Sequence, residues 1–178
     1  MSLAAVSDRS AGSETPGRFT EGEADRKAPD FWPSTIFTDG RAPGFARGLS
    51  GEDLRIVVHS DQVRGRFSIV QHHVPASHRS LMLSHDETDI ILNVVSGEIE
   101  IRLDHERRRL TSGSFVAIPR ATLFGWHNRS SAVALVVATY LSSSLEPLLQ
   151  AAQGCCGLDE LRHVAASFKI RIPDDLAG

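Results

Sequence analysis

IILNVVSGEIEIRL (residues 90–103) and GSFVAIPRATLFGWHN (residues 113–128) decide the fold. Within the first stretch the alternation is strict. Ile99, Ile101 and Leu103 point to one side, and Glu98, Glu100 and Arg102 to the other. A period of two residues is that of a half-buried strand, so the isoleucine side is the core side. Ser96-Gly97 marks a turn between two β-branched runs. In the second stretch Gly113 opens a short run, SFVAIP (114–119), and Asn128 ends another.

The same texture extends outward. LRIVVHS (54–60), GRFSIVQHHV (65–74) and SAVALVVATYL (131–141) are further short β-branched runs. Turn signals separate them at Arg64-Gly65, Pro75-Ala76-Ser77, Asp104-His105, Ser112-Gly113 and Asn128-Arg129-Ser130. Short strands at regular spacing predict an all-β sandwich or barrel. After residue 144 the period changes. LEPLLQAAQ (145–153) and LDELRHVAASFKI (158–170) carry apolar residues at helical spacing, among them Leu158, Leu161, Val164, Ala165 and Phe168. They predict two short helices on the outside of the barrel. Three parts follow: a flexible arm over 1–30, a β-barrel over 31–144 and a helical segment over 145–178. Phe31, Trp32, Phe37 and Phe45 are anchors with no obvious use inside one chain, and a homodimer is expected.

Composition excludes several classes. The 178 residues include 19 Lys+Arg and 22 Asp+Glu, giving a net charge of −3. Phosphate binding wants a basic field, so nucleic acid is not the expected partner. The apolar run Val133 to Leu141 is far too short to span a membrane. MSLAAVSDRS lacks the basic and apolar regions of a secretory signal. The two cysteines, Cys155 and Cys156, are adjacent and form no CxxC, so a reducing cytoplasmic compartment is expected. GxGxxG, Walker A and HExxH patterns do not occur. Histidine stands out: there are eight, and His59, His72, His73, His78, His85 and His127 lie among the strands and turns of the centre.

The joint register of Gly97, Gly113, Pro119 and Asn128 resembles the cupin family. Its motifs are Gly-x5-His-x-His-x3–4-Glu-x6-Gly and Gly-x5-Pro-x-Gly-x2-His-x3-Asn. Here they read SHRSLMLSHDETDIILNVVSG and GSFVAIPRATLFGWHN. The C-terminal LDELRHVAASFKI resembles the tail helix of single-domain cupins related to quercetin dioxygenase. The resemblance covers about residues 48–172. It implies an antiparallel double-stranded β-helix, or jelly roll, with short C-terminal helices.

The family's metal site does not carry over. Its four ligand positions hold Leu83, His85, Ile90 and Phe124. Only His85 offers a lone pair, and a metal site needs about three or four protein ligands. The expectation is no metal and no cofactor. A rearranged site drawn from His72, His73, His78, His85, Asp89 and His127 is the alternative.

Alternation completes the expected pocket. His85 is the candidate catalytic base, with His73 and Gln71 to orient it. Phe67, Ile69, Leu83, Ile90, Leu92, Ile101, Phe124 and Trp126 would bind substrate. An imidazole among apolar walls is disfavoured in its charged form and serves as a neutral base near pH 7. The expected function is metal-independent acid/base chemistry on a small hydrophobic molecule: isomerisation, cyclisation or dehydration. The family resemblance implies a polyketide- or flavonoid-like substrate. A metal-dependent dioxygenase with rearranged ligands and a non-catalytic small-molecule binder are the alternatives.

Overall fold

The computed structural model describes Ile36, Thr38, and residues 46–104 and 106–174. The arm over 1–30 and the anchors Phe31, Trp32, Phe37 and Phe45 lie outside the described residues. The chain forms strands β1 (Ala46–Arg47), β2 (Asp53–Val58), β3 (Ser68–Val74), β4 (Ser84–His85), β5 (Ile90–Ser96) and β6 (Glu98–Leu103). β7 (Glu106–Thr111), β8 (Phe115–Ile118), β9 (Phe124–His127) and β10 (Ala134–Tyr140) follow. Helices α1 (Leu145–Ala152) and α2 (Leu158–Ser167) and strand β11 (Ile170–Arg171) complete it.

A six-stranded sheet in the order β1-β2-β3-β10-β5-β8 faces a three-stranded sheet, β7-β6-β9, and a pair, β11-β4. The all-β barrel with two short helices is therefore present. The segment before β4 extends the smaller sheet. Ser80 N–H donates to the Trp126 carbonyl at 2.9 Å, and Asn128 N–H donates to the His78 carbonyl at 2.9 Å. Side chains from both sheets fill the space between them. Ile99 and Ile101 are buried there, as their alternation requires, with Val70, Leu92, Val94, Val136 and Ala138.

β3 corrects the expected phase. Ser68, Val70, His72 and Val74 are its buried residues, while Ile69, Gln71 and His73 lie on the other, half-buried face. Both faces of SIVQHHV mix apolar and polar residues, so the strand's own pattern does not set its phase. Its neighbour does. β10 buries Ala134, Val136, Ala138 and Tyr140, which pair with Val74, His72, Val70 and Ser68.

The helices cover one end of the barrel. α1 buries Leu145, Leu148 and Leu149. α2 packs Leu158, Leu161, Val164 and Ala165 into a second apolar cluster with Leu148, Ile170 and Ile172. The expected helix over 158–170 ends earlier, at Ser167. Lys169 takes a left-handed conformation with φ of 60°, and Ile170 then pairs with His85 across β11 and β4. Pairing and burial of Ile170 outweigh the three extra residues of helix. No helix among the described residues is long and apolar enough to cross a membrane.

Candidate active site

A narrow cavity of about 40 Å³ lies inside the barrel. His72 on β3, His85 on β4, Phe124 and Trp126 on β9, and Tyr140 on β10 line it. Leu54, Leu83, Leu145, Leu149 and Glu52 close it. Leu49, Ser50, Leu81 and Leu149 also border an outer cleft of about 570 Å³, which continues past Arg47, Arg79, Cys155 and Cys156. The inner chamber thus sits behind a thin, mostly leucine partition.

His85 is fixed by its backbone. It pairs with Ile170, and its carbonyl accepts the Ala121 N–H at 2.7 Å. Its ring stacks on Phe124 at 6.1 Å between centroids and lies 5.6 Å from the Tyr140 ring. Nδ1 is buried with no hydrogen-bond partner. Burial holds the ring's pKa down at about 4, against a weaker upward pull from Asp86. At neutral pH His85 is an uncharged imidazole with a free polar atom. The Trp126 Nε1–H on the same cavity is likewise buried and unpartnered. Buried polar groups normally find partners, and each that does not costs about 1–3 kcal/mol.

His72 has the opposite environment. Its Nδ1 lies 3.3 Å from Oε1 of Glu52, and its Nε2 lies 3.3 Å from the Tyr140 hydroxyl. Trp126 meets the ring edge-on at 5.2 Å. The Glu52 carboxylate is 4% exposed. It accepts the Ser50 N–H at 3.2 Å, and His78 Nε2 stands 3.9 Å away. Gly48 makes this possible, since a Cβ there would lie 2.3 Å from the Glu52 carboxyl carbon. Burial alone would raise the Glu52 pKa, but the hydrogen bond and charge of His72 outweigh it and the carboxyl is held below its ordinary value. Burial, helped by the Glu52 charge, pushes the Tyr140 phenol above its ordinary value, so it keeps its proton.

Of the residues expected from sequence, His85, Leu83, Phe124 and Trp126 come together on the cavity. Ile90, Leu92 and Ile101 belong to the solid core instead. Gln71 and His73 do not reach His85: both lie on the other face of β3, where Gln71 accepts a hydrogen bond from Arg55. Ile69 shares that face, and Phe67 lies half-buried outside the cavity. The reason is the β3 phase set by β10. Glu52 and Tyr140 were missed. A carboxylate in the turn GLSGE reads as a surface group, and a tyrosine ending an apolar run reads as core. The signal available was Tyr140, the chain's single tyrosine, on the β10 face shared with Val136 and Ala138.

The donors do not fit the metal of the cupin pattern. Three of its four positions are carbon side chains, and among the described residues no three His, Cys, Asp or Glu gather to hold an ion. Asp89 is engaged at the surface, where both its oxygens accept hydrogen bonds from Arg120. His127 does not line the cavity.

No curated protein sequence matches the chain. Among solved structures, KdgF from Halomonas sp. superposes with a TM-score of 0.53 at 23% identity, over 59% of this chain and 93% of that one. An RmlC-like cupin from Shewanella frigidimarina NCIMB 400 superposes with a TM-score of 0.54 at 15% identity, over 64% and 96%. Residues 70–140, which run from the middle of β3 to the end of β10, match the Cupin domain family. With that match, the two facing sheets and the register of Gly97, Gly113, Pro119 and Asn128, the chain has the cupin fold, with the Cupin domain match at its centre.

Proposed function

We propose that this cupin is an acid/base enzyme acting on a small apolar carbonyl compound, with His85 as the base and no metal in the step. The observation that carries the reading is the unpartnered Nδ1 of a buried, neutral His85 among aromatic and leucine walls. A neutral imidazole can take a proton from carbon beside a carbonyl, and the free Trp126 Nε1–H can hold the carbonyl oxygen as charge develops there. Proton removal and return of this kind underlies isomerisation, cyclisation and dehydration. The donor set, with one imidazole where the family pattern has four ligands, supports a step without a metal. The inner cavity fits only the reacting end of a substrate. A flat polyketide- or flavonoid-like body would lie in the outer cleft and pass its carbonyl end between Leu49, Leu81 and Leu149.

The test uses cyclopentanone as probe and reads exchange of its α-hydrogens in D2O by proton NMR. Protein dialysed against a chelator is expected to catalyse exchange, and His85→Gln is expected to lower the rate about 10²-fold or more. Equal rates for wild type and His85→Gln, or loss of exchange on chelation, overturn the reading.

A further inference from the structure

His85 is one of two imidazoles on the cavity. The other, His72, is tied at both nitrogens, to Glu52 on one side and to the Tyr140 hydroxyl on the other. Tyr140 in turn is the ring that lies against both histidines, 5.6 Å from His85 and 6.4 Å from His72. A base with a free nitrogen and a phenol with a backed hydroxyl therefore share one small chamber.

We propose that Tyr140, backed by His72 and Glu52, is the proton donor that works opposite His85. The proposal rests on the acid/base reading of His85 above. In the step, His85 takes a proton from the carbon beside the carbonyl, and the C–H electron pair moves to form the enol double bond. The carbonyl oxygen takes the Tyr140 hydroxyl proton as that O–H bond breaks. The Tyr140 oxygen, left as a phenolate, stays in contact with His72 Nε2 and balances the His85 imidazolium formed in the same step. One proton enters His85 and one leaves Tyr140, so charge balances without a co-reactant. The return step runs the same transfers backward onto the same or another carbon.

The surroundings fit these roles. Environments that push two groups apart mark the acid and the base of a pair. Burial keeps Tyr140 protonated and keeps His85 neutral. Glu52 is held as a carboxylate, its pKa kept low by the hydrogen bond and charge interaction with His72. The groups facing His72 are Glu52 from the turn before β2, Tyr140 from β10 and Trp126 from β9. His78, after β3, stands at the second oxygen of Glu52. Tyr140 is the catalytic residue of this set, and His72 and Glu52 are positioning residues.

Three variants test the relay in the cyclopentanone exchange assay. Tyr140→Phe removes only the hydroxyl and is expected to slow exchange at least 10-fold with cyclopentanone affinity unchanged. Glu52→Gln, which loosens the hold on His72 behind the phenol, is expected to slow exchange in part, and Glu52→Asp is expected to restore part of the rate. An unchanged rate in Tyr140→Phe while His85→Gln is slow overturns the relay and leaves the His85 reading standing. Equal rates in His85→Gln and wild type overturn the His85 reading, and the relay with it.

Discussion

Leu83 and Phe124 face each other across a two-way backbone bridge, each N–H donating to the other's carbonyl at 2.9 Å. These are two of the positions that the family pattern gives to metal ligands. The backbone at these two positions is paired, and the side chains it carries are leucine and phenylalanine. Residues opposed in an antiparallel pair project to the same side of the sheet. His85, two residues on from Leu83, projects to that side as well.

It follows that a metal site can be built here with two substitutions. Leu83→His with Phe124→His would bring three imidazoles to one cavity, the ligand set of many catalytic zinc sites. The double variant is expected to bind about one equivalent of Zn²⁺ by isothermal titration calorimetry, and the wild type none. Stoichiometric binding by the wild type would show that a rearranged site exists.

His85 makes stability pH-dependent in a definite direction. Its pKa falls from 6.5 in the unfolded chain to about 4 in the fold, so the folded state resists protonation. The stabilisation is fully present above pH 6.5 and is lost as pH falls toward 4, by about 3 kcal/mol in all. Urea unfolding at pH 7 and at pH 4.5 is expected to show this loss. His85→Gln, which does not titrate there, is expected to flatten the difference.

The strands were legible because their turns and β-branched runs agree. The helices were legible because Leu145, Leu148 and Leu149, then Leu158, Leu161 and Ala165, keep a helical period. The site was only half legible. Leu83, His85, Phe124 and Trp126 come from stretches whose phase the motif fixes. His72 comes from β3, where both faces carry mixed residues and a neighbouring strand settles the choice. Glu52 was invisible because its burial depends on Gly48 standing aside, a contact between two turn residues that no periodicity encodes.

β8 is the last strand of the six-stranded sheet, and among the described residues no strand pairs with its outer edge. Phe115 on it is 71% exposed, beside outward-facing Ile91 and Val95 on β5. An open edge next to an apolar stripe can pair with itself about a two-fold axis. We propose that a second copy of the chain covers it. Light scattering at micromolar concentration is expected to give a dimer, and Phe115→Glu a monomer. A monomeric wild type would remove the proposal.

Asn128 is fully buried and spends all its hydrogen-bonding capacity locally. Its Nδ2 donates to the carbonyls of Val74 at 3.0 Å and Ala132 at 2.7 Å. Its Oδ1 accepts from Ser130 N–H at 3.0 Å and from the Ser130 hydroxyl at 2.7 Å. The side chain therefore pins the turn before β10 to the end of β3. Asn128→Ala strands the Val74 carbonyl in the core and is expected to cost about 3 kcal/mol in urea unfolding. Asn128→Asp keeps the size but aims an oxygen at two carbonyls, and is expected to cost no less.

Ala121 stands where the family motif has glycine, and it adopts the conformation that glycine is there to supply, with φ of 63°. Its N–H holds the His85 carbonyl, so the turn cannot relax without releasing the strand that carries the base. A left-handed alanine is strained by about 1 kcal/mol relative to glycine, because its Cβ crowds the following carbonyl. Glycine gives some of this back through its freer unfolded chain. Ala121→Gly is therefore expected to raise the unfolding midpoint modestly, by up to about 1 kcal/mol, and to leave cyclopentanone exchange unchanged. Thermal melts of the two proteins at pH 7 decide it. A destabilised Ala121→Gly would mean that the side chain contributes packing which outweighs the strain.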